Sequence, residues 1–240
     1  GVTKYFKPGE IEVKALQAGN DLLLLPQHID QAILGIGRAI DSGLISNELL
    51  EEKCKKVLSV KEKLHLKSTP RIETRNLIEE INQADAAALT DEMVRSSLTL
   101  LGNDLRLIPI TNLDKRKIAV LSVGDTTPTV ITSTLAKYAP VQIFRVPANI
   151  NDSVITRTFD ELKPFDLVIA ILHGISSSPG RNYGITPSMQ KLTDTVSGAF
   201  RTIVALMGTP YALNSLKYPK KTEAIIVAYQ DNANTQRATA

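Results

Sequence analysis

The run Ile118-Ala119-Val120-Leu121-Ser122-Val123, closed by Gly124, decides how this chain is read. It is apolar at almost every position, so it lacks the alternation of a strand with one wet face. A strand of this kind is buried on both faces, as in a parallel sheet covered by helices. Four similar runs follow at 141–146, 166–172, 203–207 and 224–228. Between them, apolar residues at helical spacing predict helices near 130–138, 153–162, 188–200 and 211–216. Strands and helices in alternation predict an α/β domain. Its core is expected to be a doubly wound, mostly parallel sheet with right-handed crossovers.

Outward from this core the pattern changes. An Ala-rich helix is predicted over 76–94, then short extended pieces at 97–101 and 105–110 around the turn Gly102-Asn103-Asp104. Residues 67–75, with Ser68, Thr69 and Pro70, read as a linker. Before it lie predicted helices at 10–19, 29–42 and from Ser46 to about residue 66. Ser46 suits the N-cap of the last, and Glu51 and Lys55 are spaced to pair across one turn. Between Gly19 and Pro26 stand four consecutive leucines, Leu22 to Leu25. They read as a strand buried on both faces, and one such strand cannot stand alone, because its backbone groups need neighbours. Residues 1–66 therefore read as part of a domain, and 76–240 as a nearly whole one.

Composition narrows the function classes. The 240 residues carry 28 Lys+Arg against 25 Asp+Glu, a net charge of +3 too small and scattered to point to nucleic acid. One cysteine, Cys54, and three scattered histidines exclude a disulfide framework and make no metal site. No apolar run reaches the roughly 18 residues of a membrane span. The chain lacks a starting Met, and its first residues do not resemble a signal peptide. The sequence fixes no compartment.

Several stretches, in order, resemble glycoside hydrolase family 3. Gln17-Ala18-Gly19-Asn20-Asp21-Leu22-Leu23-Leu24-Leu25-Pro26 is similar to the family's A-G-x-D-x-x-L-x-P run, which is the last strand of its barrel. Ala39-Ile40-Asp41-Ser42-Gly43-Leu44-Ile45-Ser46 and Val57-Leu58-Ser59-Val60-Lys61-Glu62-Lys63-Leu64 resemble the two segments that follow. Arg95 to Asp104, then Ile108-Pro109-Ile110, resemble the entry to the family's α/β sandwich domain. Gly208-Thr209-Pro210-Tyr211 is similar to a G-x-P-Y after a late strand, and Ala228-Tyr229 with Thr235-Gln236-Arg237-Ala238 to the A-Y and x-Q-x-A close.

The resemblance implies the tail of a (β/α)8-type barrel followed by an α/β sandwich, from a retaining exo-β-glycosidase acting on terminal β-linked sugars. The bacterial β-N-acetylhexosaminidase-like branch is favoured over the β-glucosidase type, which leaves a periplasmic or secreted bacterial parent open. It also implies that the aspartate nucleophile lies upstream of Gly1 and that 236–240 begin a helix cut short. A retaining mechanism needs a carboxylate nucleophile and a proton donor, so the chain alone is expected to be inactive. No catalytic residue, cofactor or metal is assigned within it. A carbohydrate substrate is expected together with the missing barrel, and neither nucleic acid nor membrane. Copies are expected to associate through the uncovered barrel remnant. The alternative is a non-catalytic α/β binding or scaffolding domain.

The richest polar cluster follows the run 166–172. It comprises His173-Gly174-Ile175-Ser176-Ser177-Ser178-Pro179-Gly180-Arg181-Asn182-Tyr183-Gly184. Ligands gather beyond the carboxyl ends of strands in open parallel sheets. His173, Arg181, Asn182 and Tyr183 are therefore the candidate substrate-binding residues. In β-glucosidase relatives this loop carries the acid/base Glu and an Asp-Arg pair; here it has no Glu or Asp, so no acid/base role is carried over. The other reading is a solvated loop with His173 bonded to a neighbouring turn. The segment from Ser122 to Thr129 lacks both phosphate-loop fingerprints and reads as a strand-to-helix turn with Thr caps. Gly35-Ile36-Gly37 reads as close helix packing. Ser153 reads as an N-cap, although Asn151-Asp152-Ser153 formally fits a glycosylation acceptor.

Overall fold

A computed structural model describes residues 2–68, 73–103, 106–216 and 222–240. The chain divides into two compact units, Gly1–Leu77 and Ile78–Ala240. Of the expected linker, residues 69–72 lie outside the described residues, as do Asp104 and Leu105.

The first unit holds helices α1 (Glu10–Gln17), α2 (Ile29–Asp41) and α3 (Asn47–Lys63). Val13, Leu16, Ala39 and Ile45 form its small core, with Leu23, Ile36, Ile40 and Leu49 packed against it. Ser46 caps α3 by accepting from the Leu49 N–H at 3.1 Å. Glu51 and Lys55 pair at 3.2 Å. Gly35 lies against the Gly9 backbone so closely that a Cβ there would overlap it. The leucine run departs from expectation. Leu22 to Leu25 forms no strand: no other described segment of this unit is one, and Leu25 takes a left-handed φ of 53°. Leu22, Leu24 and Leu25 are 69%, 83% and 85% exposed, as expected of a run that nothing covers. A strand is stabilised by its ladder and its covered faces, and this unit supplies neither.

The second unit holds α4 (Leu77–Ile81, beginning at the boundary), α5 (Ala84–Ser97), β1 (Thr99–Leu101), β2 (Ile118–Val123), α6 (Val130–Tyr138), β3 (Val141–Val146), α7 (Asp152–Leu162), β4 (Leu167–Leu172), α8 (Pro187–Ala199), β5 (Thr202–Leu206), β6 (Thr222–Val227) and α9 (Ala233–Thr239). The sheet order is β1-β6-β5-β4-β2-β3. β2 pairs in parallel with β3 and β4, β4 with β5, and β5 with β6; only β1 runs antiparallel, along β6. The sheet is therefore mixed. Its five parallel strands follow the 2-1-3-4-5 order, so the order reverses between β2 and β4.

Every residue of β2, β4 and β5 is buried, which accounts for their unbroken apolar character. Successive residues face opposite cores. Leu121, Val123, Val168, Leu172, Val204 and Leu206 meet Ile155 and Leu162 of α7 and Met189, Leu192 and Val196 of α8. Ile118, Val120, Ile169, Ile171, Ile203 and Ala205 meet Ile131 and Leu135 of α6. α9 packs on α5 and α6.

Four local expectations need correction. The helix predicted over 76–94 is two helices, because the Asn82 side chain donates to the Ile78 carbonyl at 2.8 Å and closes the first. Residues 106–110 form no strand. Asn103 takes the ladder's place, donating to the Ile108 carbonyl at 2.7 Å and accepting from its N–H at 3.0 Å. The helix predicted over 211–216 is a single 3-10 turn, Pro210–Asn214. The N-cap of α7 is Asn151, which accepts from the Val154 N–H at 3.0 Å, while Ser153 donates to the Asn151 side chain.

Candidate functional site

The order reversal places the ends of β2 and β4 side by side at their carboxyl edge, where open sheets of this kind hold ligands. The His173 N–H continues the ladder to the Val123 carbonyl at 2.9 Å. The next residue of β2, Gly124, turns away at φ +97°, and a Cβ on it would lie 2.8 Å from the His173 carbonyl oxygen. Only glycine fits both that conformation and that approach. Ser122 is buried under the turn and donates to the Asp125 carbonyl at 3.1 Å. Thr129 caps α6 together with Thr132.

His173 is 2% exposed, and its Nδ1 lies 2.9 Å from Oδ2 of Asp231, which follows β6. The other Asp231 oxygen accepts from Gln236 Nε2 at 2.6 Å. Gln236 Oε1 in turn accepts from the Ile131 N–H, in the first turn of α6, at 3.3 Å. Burial pushes the Asp231 carboxyl up. The hydrogen bonds from His173 and Gln236, the attraction of His173 and the Gly174 N–H outweigh that, leaving it below the ordinary aspartate range. An ionised carboxylate only accepts, so Nδ1 of His173 carries the proton and donates. Nε2 of His173 and Nε of Arg145, on β3, are buried without a hydrogen-bond partner among the described residues. Asp125 lies within electrostatic range of both. The Thr127 hydroxyl and N–H hold its carboxyl below the usual value, helped by His173 and Arg145.

Above this base the loop after His173 folds back on itself. The Ser176 N–H donates to the Tyr183 carbonyl at 2.8 Å, and the Tyr183 N–H to the Ser178 carbonyl at 3.0 Å. Gly184, at φ +85°, sits directly against the Gly174 carbonyl, where no Cβ fits. Asn182 and Tyr183 take successive left-handed conformations, φ 50° and 55°. For non-glycine residues this is costly and persists only where surroundings enforce it. Asn182 is held by donating to the Ile185 carbonyl at 2.9 Å and accepting from Ser215 Oγ at 2.6 Å. Tyr183 is half-buried and stacks on Tyr211, ring centroids 6.3 Å apart. Tyr211 is 66% exposed, and Arg181 is also exposed.

The structure thus brings Arg181, Asn182 and Tyr183 into one turn and sets His173 at the base of the loop, bound to Asp231. Two residues of this arrangement escaped the sequence reading as site residues. Asp231 is 58 positions from His173, and only the sheet order unites them. Tyr211 belongs to the Gly208-Thr209-Pro210-Tyr211 stretch that resembles the G-x-P-Y after a late strand, a likeness that gives its ring no contact. Among the described residues, no cluster of His, Cys, Asp and Glu could hold a metal ion, and no helix is long and apolar enough to cross a membrane.

No protein-family model and no curated protein sequence matches the chain. Solved structures do. A glycoside hydrolase family 3 β-N-acetylglucosaminidase from a Paenibacillus species superimposes with a TM-score of 0.66 at 16% identity, over 100% of this chain and 46% of its own. The chain shares its fold with part of this glycosidase. A β-glucosidase from Listeria innocua gives 0.62 at 18% identity, over 97% and 35%. A fungal multi-domain family 3 β-N-acetylglucosaminidase gives 0.60 at 17%, over 99% and 27%. The chain therefore spans less than half the length of the glycosidases whose fold it shares.

Proposed function

We propose that this chain works as the C-terminal portion of a retaining exo-β-glycosidase of the family 3 type, releasing terminal β-linked N-acetylhexosamine or glucose. In this reading residues 1–66 complete a barrel that carries the catalytic groups, and 76–240 form the α/β sandwich domain that follows it in the chain. The observation that carries the reading is the likeness of fold, over at least 97% of the chain, to several solved β-glycosidases. The α/β unit contributes the loop after His173. The exposed face of Tyr211, backed by Tyr183, suits stacking against a sugar ring, and Arg181 suits hydrogen bonds to its hydroxyls. Asn182 is spent on holding the turn, so its part is to shape the loop. The loop lacks any carboxylate, in keeping with an acid/base and a nucleophile supplied elsewhere.

Aryl β-glycoside turnover tests this reading. The purified 240-residue chain is expected to be inactive on β-N-acetylglucosaminides and β-glucosides, and a longer polypeptide carrying it behind a barrel to be active. Clear turnover by the chain alone would overturn the assignment of catalysis to the barrel. A second reading, a packing or scaffolding domain without sugar contact, is favoured by one observation: Asn182 and Tyr183 both have internal partners.

A further inference from the structure

Three groups converge on one carboxylate at the sheet's carboxyl edge. Asp231 accepts from His173 Nδ1 at 2.9 Å and from Gln236 Nε2 at 2.6 Å, and the Gly174 N–H faces it as well. Gly174 is the first residue of the loop, and its carbonyl is also where Gly184, near the loop's end, packs. The carboxylate therefore grips the point at which the loop leaves the sheet and returns to it. Gln236 carries the same grip to α6 through the Ile131 N–H. His173 has its backbone fixed by β2 and its ring buried, so it reaches no ligand on the surface and acts only on what surrounds it.

We infer that Asp231 is a positioning residue for the loop Gly174–Gly184, acting through His173, Gly174 and Gln236. Its consequence for sugar binding rests on the function proposed above, because only there does the loop meet a substrate. The clamp itself does not. With it intact, the Tyr183–Tyr211 stack and Arg181 keep one height above the strand ends. Without it, the imidazole loses its acceptor and the Gly174 N–H its carboxylate, and the loop base is free to open while the strands stay paired. The stacked strand cores do not depend on this carboxylate, since β2, β4 and β5 are buried throughout.

Backbone amide hydrogen exchange on the 240-residue chain, with imidazole nitrogen NMR, tests the inference without any catalytic assay. In Asp231→Asn, the loop amides, Ser176 foremost, should exchange about tenfold faster, while amides of β2, β4 and β5 keep their rates. The wild-type His173 signal should show the Nδ1–H tautomer, and the variant should lose that fixed state. Gln236→Ala, which removes one donor at a partly buried side chain, should give a smaller rise in the same loop. It decides the matter if Asp231→Asn does not fold. Unchanged loop exchange in a folded variant, or equal acceleration of loop and strand amides, would overturn the inference. A confirmed clamp with no turnover by any longer polypeptide would sink the proposed glycosidase and leave Asp231 in its role.

Discussion

Gly124→Ala probes the junction on which the whole site rests. The methyl group would sit 2.8 Å from the His173 carbonyl oxygen and 3.3 Å from its carbon, both backbone atoms of a fully buried strand end. Neither can move without breaking the ladder between β2 and β4. The residue must also hold φ +97°, which costs an L-residue about 1–2 kcal/mol. Overpacking against fixed atoms adds about 1–3 kcal/mol. The sum, about 2–5 kcal/mol, is a large share of the roughly 5–15 kcal/mol that keeps a domain folded. Urea unfolding followed by far-UV circular dichroism should show the main transition midpoint falling by about 1–2 M. Gly198→Ala is the control in the same unit. It lies in α8 with nothing within 4 Å of the added Cβ, and should stabilise by about 0.5–1 kcal/mol. If the Gly124 variant unfolds within about 0.3 M of the wild type, the close approach of β2 and β4 described above is wrong.

Other consequences can be measured on the same protein. Leu192→Ala, at a fully buried position of α8, should cost about 2–5 kcal/mol in the same urea titration; a change below about 1 kcal/mol would contradict its place in the core. Asp231 has a lowered folded-state pKa, so its contribution to stability is present above its unfolded value of 3.8 and is lost as pH falls through the folded value. Acid unfolding below about pH 4 should therefore be less steep in Asp231→Asn than in the wild type, and identical profiles would refute the linkage. The exposed leucine run should bring copies together in solution, and Leu24→Glu with Leu25→Glu should reduce that association in light scattering. A clean wild-type monomer at high concentration would show that this surface does not drive contact.

The fold was legible where burial alone dictates sequence. β2 falls where its apolar run places it, and β4 and β5 lie within one residue, because strands covered on both faces admit few polar residues; the edge strand β3, only partly buried, also keeps its expected bounds, and β6 lies within two residues. The leucine run shows the limit of the same rule. Its residues suit a doubly buried strand, but burial depends on neighbours, and this unit has none to offer Leu22, Leu24 and Leu25. The break at Asn82 and the loss of a strand after the turn at Asn103 lie in side-chain hydrogen bonds to Ile78 and Ile108, which spacing does not reveal. At the site, the loop from His173 to Gly184 stood out by composition. Its supporting partner Asp231 did not, since a lone aspartate after a strand signals nothing until the strand order brings β6's end round to β4's. Arg181, Asn182 and Tyr183 were recognisable as a polar group, but which of them faces outward depends on two left-handed residues in succession.

Steady-state kinetics of a longer polypeptide that carries this chain behind a family 3 barrel decide whether the α/β unit meets the sugar. The substrates are aryl and oligomeric β-N-acetylglucosaminides and β-glucosides. Arg181→Ala and Tyr211→Ala, separately and together, should raise KM severalfold, more for oligomeric than for aryl substrates. Unchanged KM and kcat in the folded double variant would contradict it and leave the α/β unit as a packing domain.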